Sequence, residues 1–467
     1  MNLAALEYDH LQAINGPLIF LKGGEKLPAM SMVQIEDKDG GIRMGQVLEV
    51  SSSHAVIQVL SHTAGLSLSG TRVRLESDVV TVDVSREMIG RIFNGIGRTI
   101  DGKQIVVAEA RLPVTGNPIN PVSRDKPDEF IETGISAIDC FNTLVRGQKL
   151  PVFSEAGLPA ADLVISLLNH ARIDEYRKFL VIFAALGITR REMNKYMKVL
   201  SDEGRQLIAF INLAEDPPIE RLLTPRFALT TAEYFAFRLG YHVLVILSDM
   251  TSYCSALREV GAAREEVLGR RGYPGYMYTD LSTIYERAGR IKGLPGSITQ
   301  LPVLTLPEGD ITHPVPDLTG YITEGQIVLE HRLHRKGIYP PVDVLPSLSR
   351  LMNNGIGSGK TREDHRQLAN QLYACYAKGV DVRRLVTIVG EDAISEQDRI
   401  YLRFAELFER ELLHQGRGRR SISETLDTGW RLLRMFPSDQ LTRINREMIS
   451  RYYSAILEDG RPSPLER

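Results

Sequence analysis

Phe153-Ser154-Glu155-Ala156-Gly157-Leu158-Pro159-Ala160-Ala161-Asp162 stands where a strand would turn into a helix, and its reading decides which kind of α/β domain this chain carries. A loop that cradles phosphates needs glycines for close approach of backbone N–H groups, a Lys for the β- and γ-oxygens, and a Ser or Thr hydroxyl for magnesium. Laid over G-x-x-x-x-G-K-S/T, the chain offers Ser154 for the first Gly, Pro159 for the second, Ala160 for the Lys and Ala161 for the hydroxyl. Pro159 also removes a donor, since its nitrogen carries no hydrogen. Read alone, the window is either a degenerate phosphate loop or an ordinary turn between a strand and a helix.

Outward from this turn, Leu180-Val181-Ile182-Phe183-Ala184-Ala185 and Val243-Leu244-Val245-Ile246-Leu247 are unbroken apolar runs, the pattern of strands buried on both faces of a largely parallel sheet. The second run ends in Ser248-Asp249, a carboxylate at a strand's C-terminal edge, where ligands bind in open α/β sheets. Asp249 has two readings: it orders magnesium at a phosphate site, or it caps a helix expected over residues 255–268. Nearer the N-terminus, Gly45-Gln46-Val47-Leu48-Glu49-Val50 and Ala55-Val56-Ile57-Gln58-Val59-Leu60 are short β-branched runs separated by serines, as in a small barrel or sandwich. Beyond residue 351 the period becomes helical. Tyr401, Phe404, Ala405, Phe408 and Leu412 share one face, Glu406 and Arg410 are spaced to pair on another, and Ser421-Ile422-Ser423-Glu424 is a capping box. The expected layout is multidomain: a β-barrel over 1–75, a central α/β domain with a mostly parallel sheet over 76–350, and a C-terminal α-helical bundle over 351–467.

A chain of 467 residues exceeds what one core organises, so several domains are expected. Its net charge of −2 gives no electrostatic footprint for nucleic acid, and the basic run Arg417-Gly418-Arg419-Arg420 reads as a solvated loop between helices. Cys140, Cys254 and Cys375 are odd in number and far apart, without a CxxC. They read as reduced, buried small hydrophobes of an intracellular protein, and no metal-ligand set is expected. The N-terminus lacks a signal pattern and no apolar run approaches the roughly 18 residues of a membrane span, so any link to a membrane is expected to run through a partner.

Five strings carry a resemblance. They are Gly90-Arg91-Ile92-Phe93-Asn94-Gly95-Ile96-Gly97; Thr133-Gly134-Ile135-Ser136-Ala137-Ile138-Asp139; Asn142-Thr143-Leu144-Val145-Arg146-Gly147-Gln148-Lys149-Leu150-Pro151; Gly269-Arg270-Arg271-Gly272-Tyr273-Pro274-Gly275-Tyr276; and Pro340-Pro341-Val342-Asp343-Val344-Leu345-Pro346-Ser347-Leu348-Ser349-Arg350. In this order they resemble the rotary ATPases, most closely the non-catalytic B-type subunits of the vacuolar/archaeal (V/A) branch. The resemblance implies a RecA-like central domain whose loop at Ser154, Glu155, Gly157, Pro159, Ala160 and Ala161 does not bind nucleotide tightly. Catalytic sister chains keep an intact loop and a glutamate that positions the attacking water. Here Ile188 stands at that place, within Gly187-Ile188-Thr189-Arg190-Arg191-Glu192, and an isoleucine cannot orient water. Glu155 departs even from the B-type pattern, and its charge repels a triphosphate.

By the same resemblance Arg350 is the candidate arginine finger, reaching in trans to the γ-phosphate held by a catalytic neighbour; a salt bridge to the helical domain is the alternative. Tyr321 and Ser349 are candidates for the nucleotide interface, with packing and turn-shaping roles as their alternatives. Residues 390–398 are either a rotor-facing turn or a solvated acidic face. Gly355-Ile356-Gly357-Ser358-Gly359-Lys360-Thr361 contains Gly-Lys-Thr but has no strand leading into it, so it is not read as a phosphate loop. The implied partners are catalytic A subunits alternating in a hexamer, central rotor subunits and peripheral stalk subunits. ATP or ADP with Mg is expected only at the interface with the catalytic partner, and the complex at the cytoplasmic face of a membrane. The competing reading is a self-sufficient ring ATPase, of export type or a catalytic subunit with a divergent loop; it calls for a loop Lys and hydroxyl and a glutamate near 188. A nucleic-acid translocase calls for a basic channel with interleaved aromatics.

Overall fold

The computed structural model describes residues 7–453 apart from 30, 61, 78, 174–177, 203 and 265, so 1–6 and 454–467 of the expected terminal domains lie outside the described residues. The chain divides into two compact units, one formed by 1–119 with 180–287 and the other by 120–179 with 288–467.

In the first unit, β1 (Glu7–Asn15), β2 (Leu18–Lys22), β3 (Met32–Glu36), β4 (Ile42–Val50), β5 (His54–Val59) and β6 (Ser69–Ser77) close into a barrel, adjacent in the order β1-β2-β5-β4-β3-β6. Every pairing is antiparallel. Alternation drives Ile19 and Leu21, Val33 and Ile35, and Ala55, Ile57 and Val59 inward, where all are fully buried. The two runs expected as strands fall in β4 and β5. Gly45 is required there, because a Cβ would sit 2.7 Å from Ile35 Cδ1 and 2.8 Å from Ile57 Cγ2. The same unit holds strands His242–Ser248, Phe179–Ile188, Leu207–Leu213 and Ile92–Asn94, neighbours in that order. The last three pair in parallel. The helix expected from 255 begins earlier, at Met250, and ends at Ala263.

In the second unit, strand Val152–Glu155 lies between Ser297–Leu306 and Gly325–Leu329, parallel to both, and Val342–Ser349 runs antiparallel against Gly325–Leu329. The central domain's sheet is thus mostly parallel, as its apolar runs imply.

The C-terminal region is helical: His365–Val389, Glu396–Leu407 and Ile422–Leu433 pack around Phe404, Phe408, Tyr376 and Trp430, all fully buried. Tyr376 stacks on Phe408 with centroids 4.5 Å apart, and Trp430 Nε1 donates to Asp364 Oδ2 at 2.6 Å. The capping box at Ser421 and Glu424 forms in full.

Two expectations need correction here. Arg410 pairs with Glu411, at 3.3 Å, and not with Glu406. Phe408–Leu413 winds as a π-helix, whose wider turn takes residues four apart out of line. The run at 417–420 is a loop between helices but is not merely solvated. Arg419 binds Glu132 at 2.5 Å, and Arg420 donates to Leu412 O at 2.9 Å and Ser136 Oγ at 3.2 Å.

Candidate functional site

Strand Val152–Glu155 ends in a tight turn that Gly157 completes at φ +88°, with Leu158 N donating to Glu155 O at 3.3 Å. Helix Ala160–His170 follows, with Pro159 at its N-cap and no side-chain cap. This is the strand–turn–helix context of a phosphate loop, but several of the donors such a loop needs are missing or taken. Pro159 has no N–H, and the N–H of Ala160 is taken by Leu158 O at 2.9 Å. Ser154 is buried, and its hydroxyl donates to Glu155 O at 3.2 Å. The Glu155 carboxylate lies 3.5 Å from His331 Nε2, so the loop supplies its own anion. No lysine stands at 160 and no hydroxyl at 161, and the loop residues present do not fit a magnesium nucleotide.

Other potential chemistry in the central domain is similarly committed. Ile188 ends its strand almost fully buried. Glu192, the next carboxylate along the chain, closes a capping box, accepting from Thr189 N at 2.8 Å and Thr189 Oγ1 at 2.9 Å. Asp249 takes the N-cap role, accepting from Thr251 N at 2.6 Å.

Arg350 follows strand Val342–Ser349 and is exposed. Its backbone N–H donates to Glu324 O at 3.0 Å, while its guanidinium has no ion pair among the described residues. Ser349 is buried, accepting from Gln148 Nε2 at 2.9 Å and donating from its hydroxyl to Thr143 O at 3.1 Å. Tyr321, near the end of helix Pro314–Ile322, is 75% exposed, a large aromatic face presented outward. The antiparallel register sets Gly325 opposite Ser349, which brings the segment after Tyr321 against Arg350.

In the helical region, residues 390–398 run from a short 3-10 turn, Glu391–Ala393, into the start of helix Glu396–Leu407, with Glu391 and Asp392 exposed near Ile388, itself at 82% exposure. Asp398 lies 3.5 Å from Lys378. The Gly-Lys-Thr segment follows helix Met352–Gly355 and no strand. Lys360 Nζ donates to its own chain at Asn354 O, 2.6 Å, and Thr361 Oγ1 accepts from Gly357 N at 3.0 Å.

Sequence reading gave no role to two ionic clusters. Lys149 is buried with its Nζ 3.0 Å from Glu324 Oε1. Glu409, with a side chain 4% exposed, lies within 3.1 Å of Arg332, 2.6 Å of Lys336 and 2.7 Å of Arg383. Burial alone raises the Glu409 carboxyl, but bonds from Lys336 and Arg383 outweigh it and hold the group below the ordinary range. Residue spacing carries no signal for either cluster, since the partners come from elements far apart in the chain. Among the described residues there is no helix long and apolar enough to cross a membrane and no grouping of His, Cys, Asp or Glu that could hold a metal ion.

A closed barrel, a mostly parallel sheet with a strand–turn–helix loop, and a helical region, in that order, are the parts of the ATP synthase alpha/beta family, and this chain belongs to it. The family's beta-barrel domain matches residues 11–75 and its nucleotide-binding domain residues 134–349. The C-terminal domain of V and A type ATP synthase matches residues 354–453, which sets the chain on the V/A branch. There it stands with B-type chains. It is 55% identical to the V-type ATP synthase beta chain of two strains of Thermus thermophilus, over 100% of both chains. The solved ATP synthase subunit NeqB from Nanoarcheaum equitans is 38% identical, with a TM-score of 0.71 covering 90% of this chain and 100% of that one.

Proposed function

We propose that the chain is the non-catalytic B subunit of an ion-translocating V/A-type rotary ATPase, alternating with catalytic A subunits in a hexameric ring and lending Arg350 in trans to ATP hydrolysis or synthesis. The observation that carries this reading is a contrast: a loop without the lysine and hydroxyl that grip a magnesium nucleotide and with a carboxylate in their vicinity, and an exposed arginine with no ion pair among the described residues. Phosphoryl transfer depends on neutralising charge on the transferring group, and an arginine finger is worth about 10³ to 10⁵ in rate, or roughly 4 to 7 kcal/mol of barrier. The planar guanidinium is suited to two phosphate oxygens of a nucleotide held with Mg by the neighbour.

In this reading Tyr321 faces the shared nucleotide, and Ser349 sets the turn from inside. The barrel, 1–75, joins a crown; the central domain, 76–350, forms the interfaces; and the helical domain, 351–467, presents residues 390–398 to the rotor. Peripheral stalk subunits complete the assembly, which meets the membrane only through its ion-translocating sector, on the cytoplasmic face. The test is ATP hydrolysis by the chain alone and after mixing with its catalytic partner, with Arg350→Ala alongside. The expected result is silence alone and Arg350-dependent turnover in the mixture. Substantial turnover by the isolated chain, or an unchanged rate with Arg350→Ala, would sink the proposal.

A further inference from the structure

Arg350 reaches solvent with nothing among the described residues holding its guanidinium, so its aim depends on how firmly residues 349 and 350 are fixed from below. Their fixation converges on one buried amide. Gln148 is fully buried, and every polar atom of its side chain is used. Its Oε1 accepts from Val145 N at 3.0 Å, and its Nε2 donates to Ser349 Oγ at 2.9 Å and Glu324 O at 3.3 Å. The backbone partners fix the amide's orientation, because an N–H can only donate and a carbonyl can only accept. Glu324 O is shared: it also accepts the N–H of Arg350 at 3.0 Å. Ser349 passes the connection on, its hydroxyl donating to Thr143 O at 3.1 Å.

Glu324 is itself clamped by the next residue along. Lys149 donates from its backbone to Glu324 Oε2 at 2.7 Å, and its Nζ lies 3.0 Å from Oε1. Gly325 lets the strands close, since a Cβ there would fall 2.0 Å from Leu348 O. One side chain therefore ties the two backbone segments that meet under Arg350, and it does so on both sides of that residue's own anchoring bond.

We infer that Gln148 is a positioning residue for Arg350, acting through Ser349 and the carbonyl of Glu324; this rests on the trans-arginine reading above. A positioned cation acts on the transition state, and a displacement of about 1 Å in such a group can cost about 100-fold in rate. Losing it leaves substrate binding by the catalytic partner untouched.

The test is steady-state ATP hydrolysis by the chain assembled with its catalytic partner. The variants are Gln148→Leu, Ser349→Ala and Arg350→Ala, and the first two are each also combined with the third. Gln148→Leu and Ser349→Ala are expected to lower kcat about tenfold or more with KM unchanged. Added to Arg350→Ala, neither is expected to lower the rate further, because nothing remains to be aimed. An unchanged kcat in both single variants would overturn the inference, as would a full further loss on the Arg350→Ala background or failure of both variants to assemble. Each of these leaves the arginine's own role standing. Full activity in Arg350→Ala would instead remove the reading beneath it.

Discussion

On the proposed trans role of Arg350, a lysine at that position would keep the charge and lose the two-pronged contact. Its ammonium is a compact, strongly hydrated point on a flexible stem, whereas the guanidinium is a rigid fork that meets two phosphate oxygens at once. Arg350→Lys is therefore expected to leave the assembled complex within about tenfold of the Arg350→Ala rate, the latter lying about 10³-fold or more below wild type; recovery of most of the rate by lysine would show that charge alone suffices. A second residue bears on acid stability. His365 is fully buried, its Nε2 meets Cys140 O at 3.0 Å and its Nδ1 meets Thr361 Oγ1 at 3.1 Å. Since a carbonyl only accepts, Nε2 carries the ring proton. Burial pushes its pKa down to about 4 from an ordinary 6.5, against the opposing bond to Cys140 and the charge of Asp364. The unfolded chain binds a proton more readily than the folded one between those values, so this group makes stability fall as pH drops from about 6.5 to 4, by on the order of 2–3 kcal/mol. Denaturant unfolding across that window should show a shallower slope for His365→Gln than for wild type; parallel slopes would mean that the ring protonates in the folded chain.

Between elements, the largest uncommitted-looking charge on the helical face turns out to be an internal bolt. Glu409, in the π-helical segment Phe408–Leu413, gathers Arg332 and Lys336 from the region of helix His331–Arg335 and Arg383 from helix His365–Val389. Removing the anion leaves three cations packed together without it, so Glu409→Gln is expected to cost about 2–4 kcal/mol at pH 7. Because the folded carboxyl lies below its ordinary value of 4.5, its stabilisation is present above that pH and lost as pH falls below it. The variant's deficit in thermal unfolding should accordingly shrink in acid; a deficit constant with pH would assign the effect to packing. Sequence periodicity made the strands at 180–185 and 243–247, the β4 and β5 runs and the capping box at Ser421 legible, because each depends on neighbours in the chain. It missed the π-helical turn, and with it the partner of Arg410, because hydrophobic spacing does not resolve 3.6 from 4.4 residues per turn over a single turn. It also missed the inward arginines of 417–420, because two of their acceptors, Glu132 and Ser136, lie hundreds of positions away and a third, Leu412 O, is a backbone carbonyl that carries no side-chain signal.

For the molecule as a whole, the legible part of the site was what it lacks. The missing Lys, hydroxyl and second glycine are visible as letters, and the structure adds that the N–H groups of Leu158 and Ala160 and the Ser154 hydroxyl are taken within the loop and that Glu155 faces His331. What supports Arg350 was not legible: Gln148 and Lys149 meet Glu324 only beside the pairing of strand Val152–Glu155 with Gly325–Leu329, and Glu324 meets Arg350 only where Gly325–Leu329 pairs with Val342–Ser349. The barrel at the other end of the chain has a consequence of a different kind. Because β1 pairs with β6 and closes the circuit, the sheet offers no free backbone rim on which a foreign strand could grow. The strands of this domain therefore give no template for fibril growth, and any contact they make with another chain comes from side chains, at strengths that salt and surface substitution can adjust.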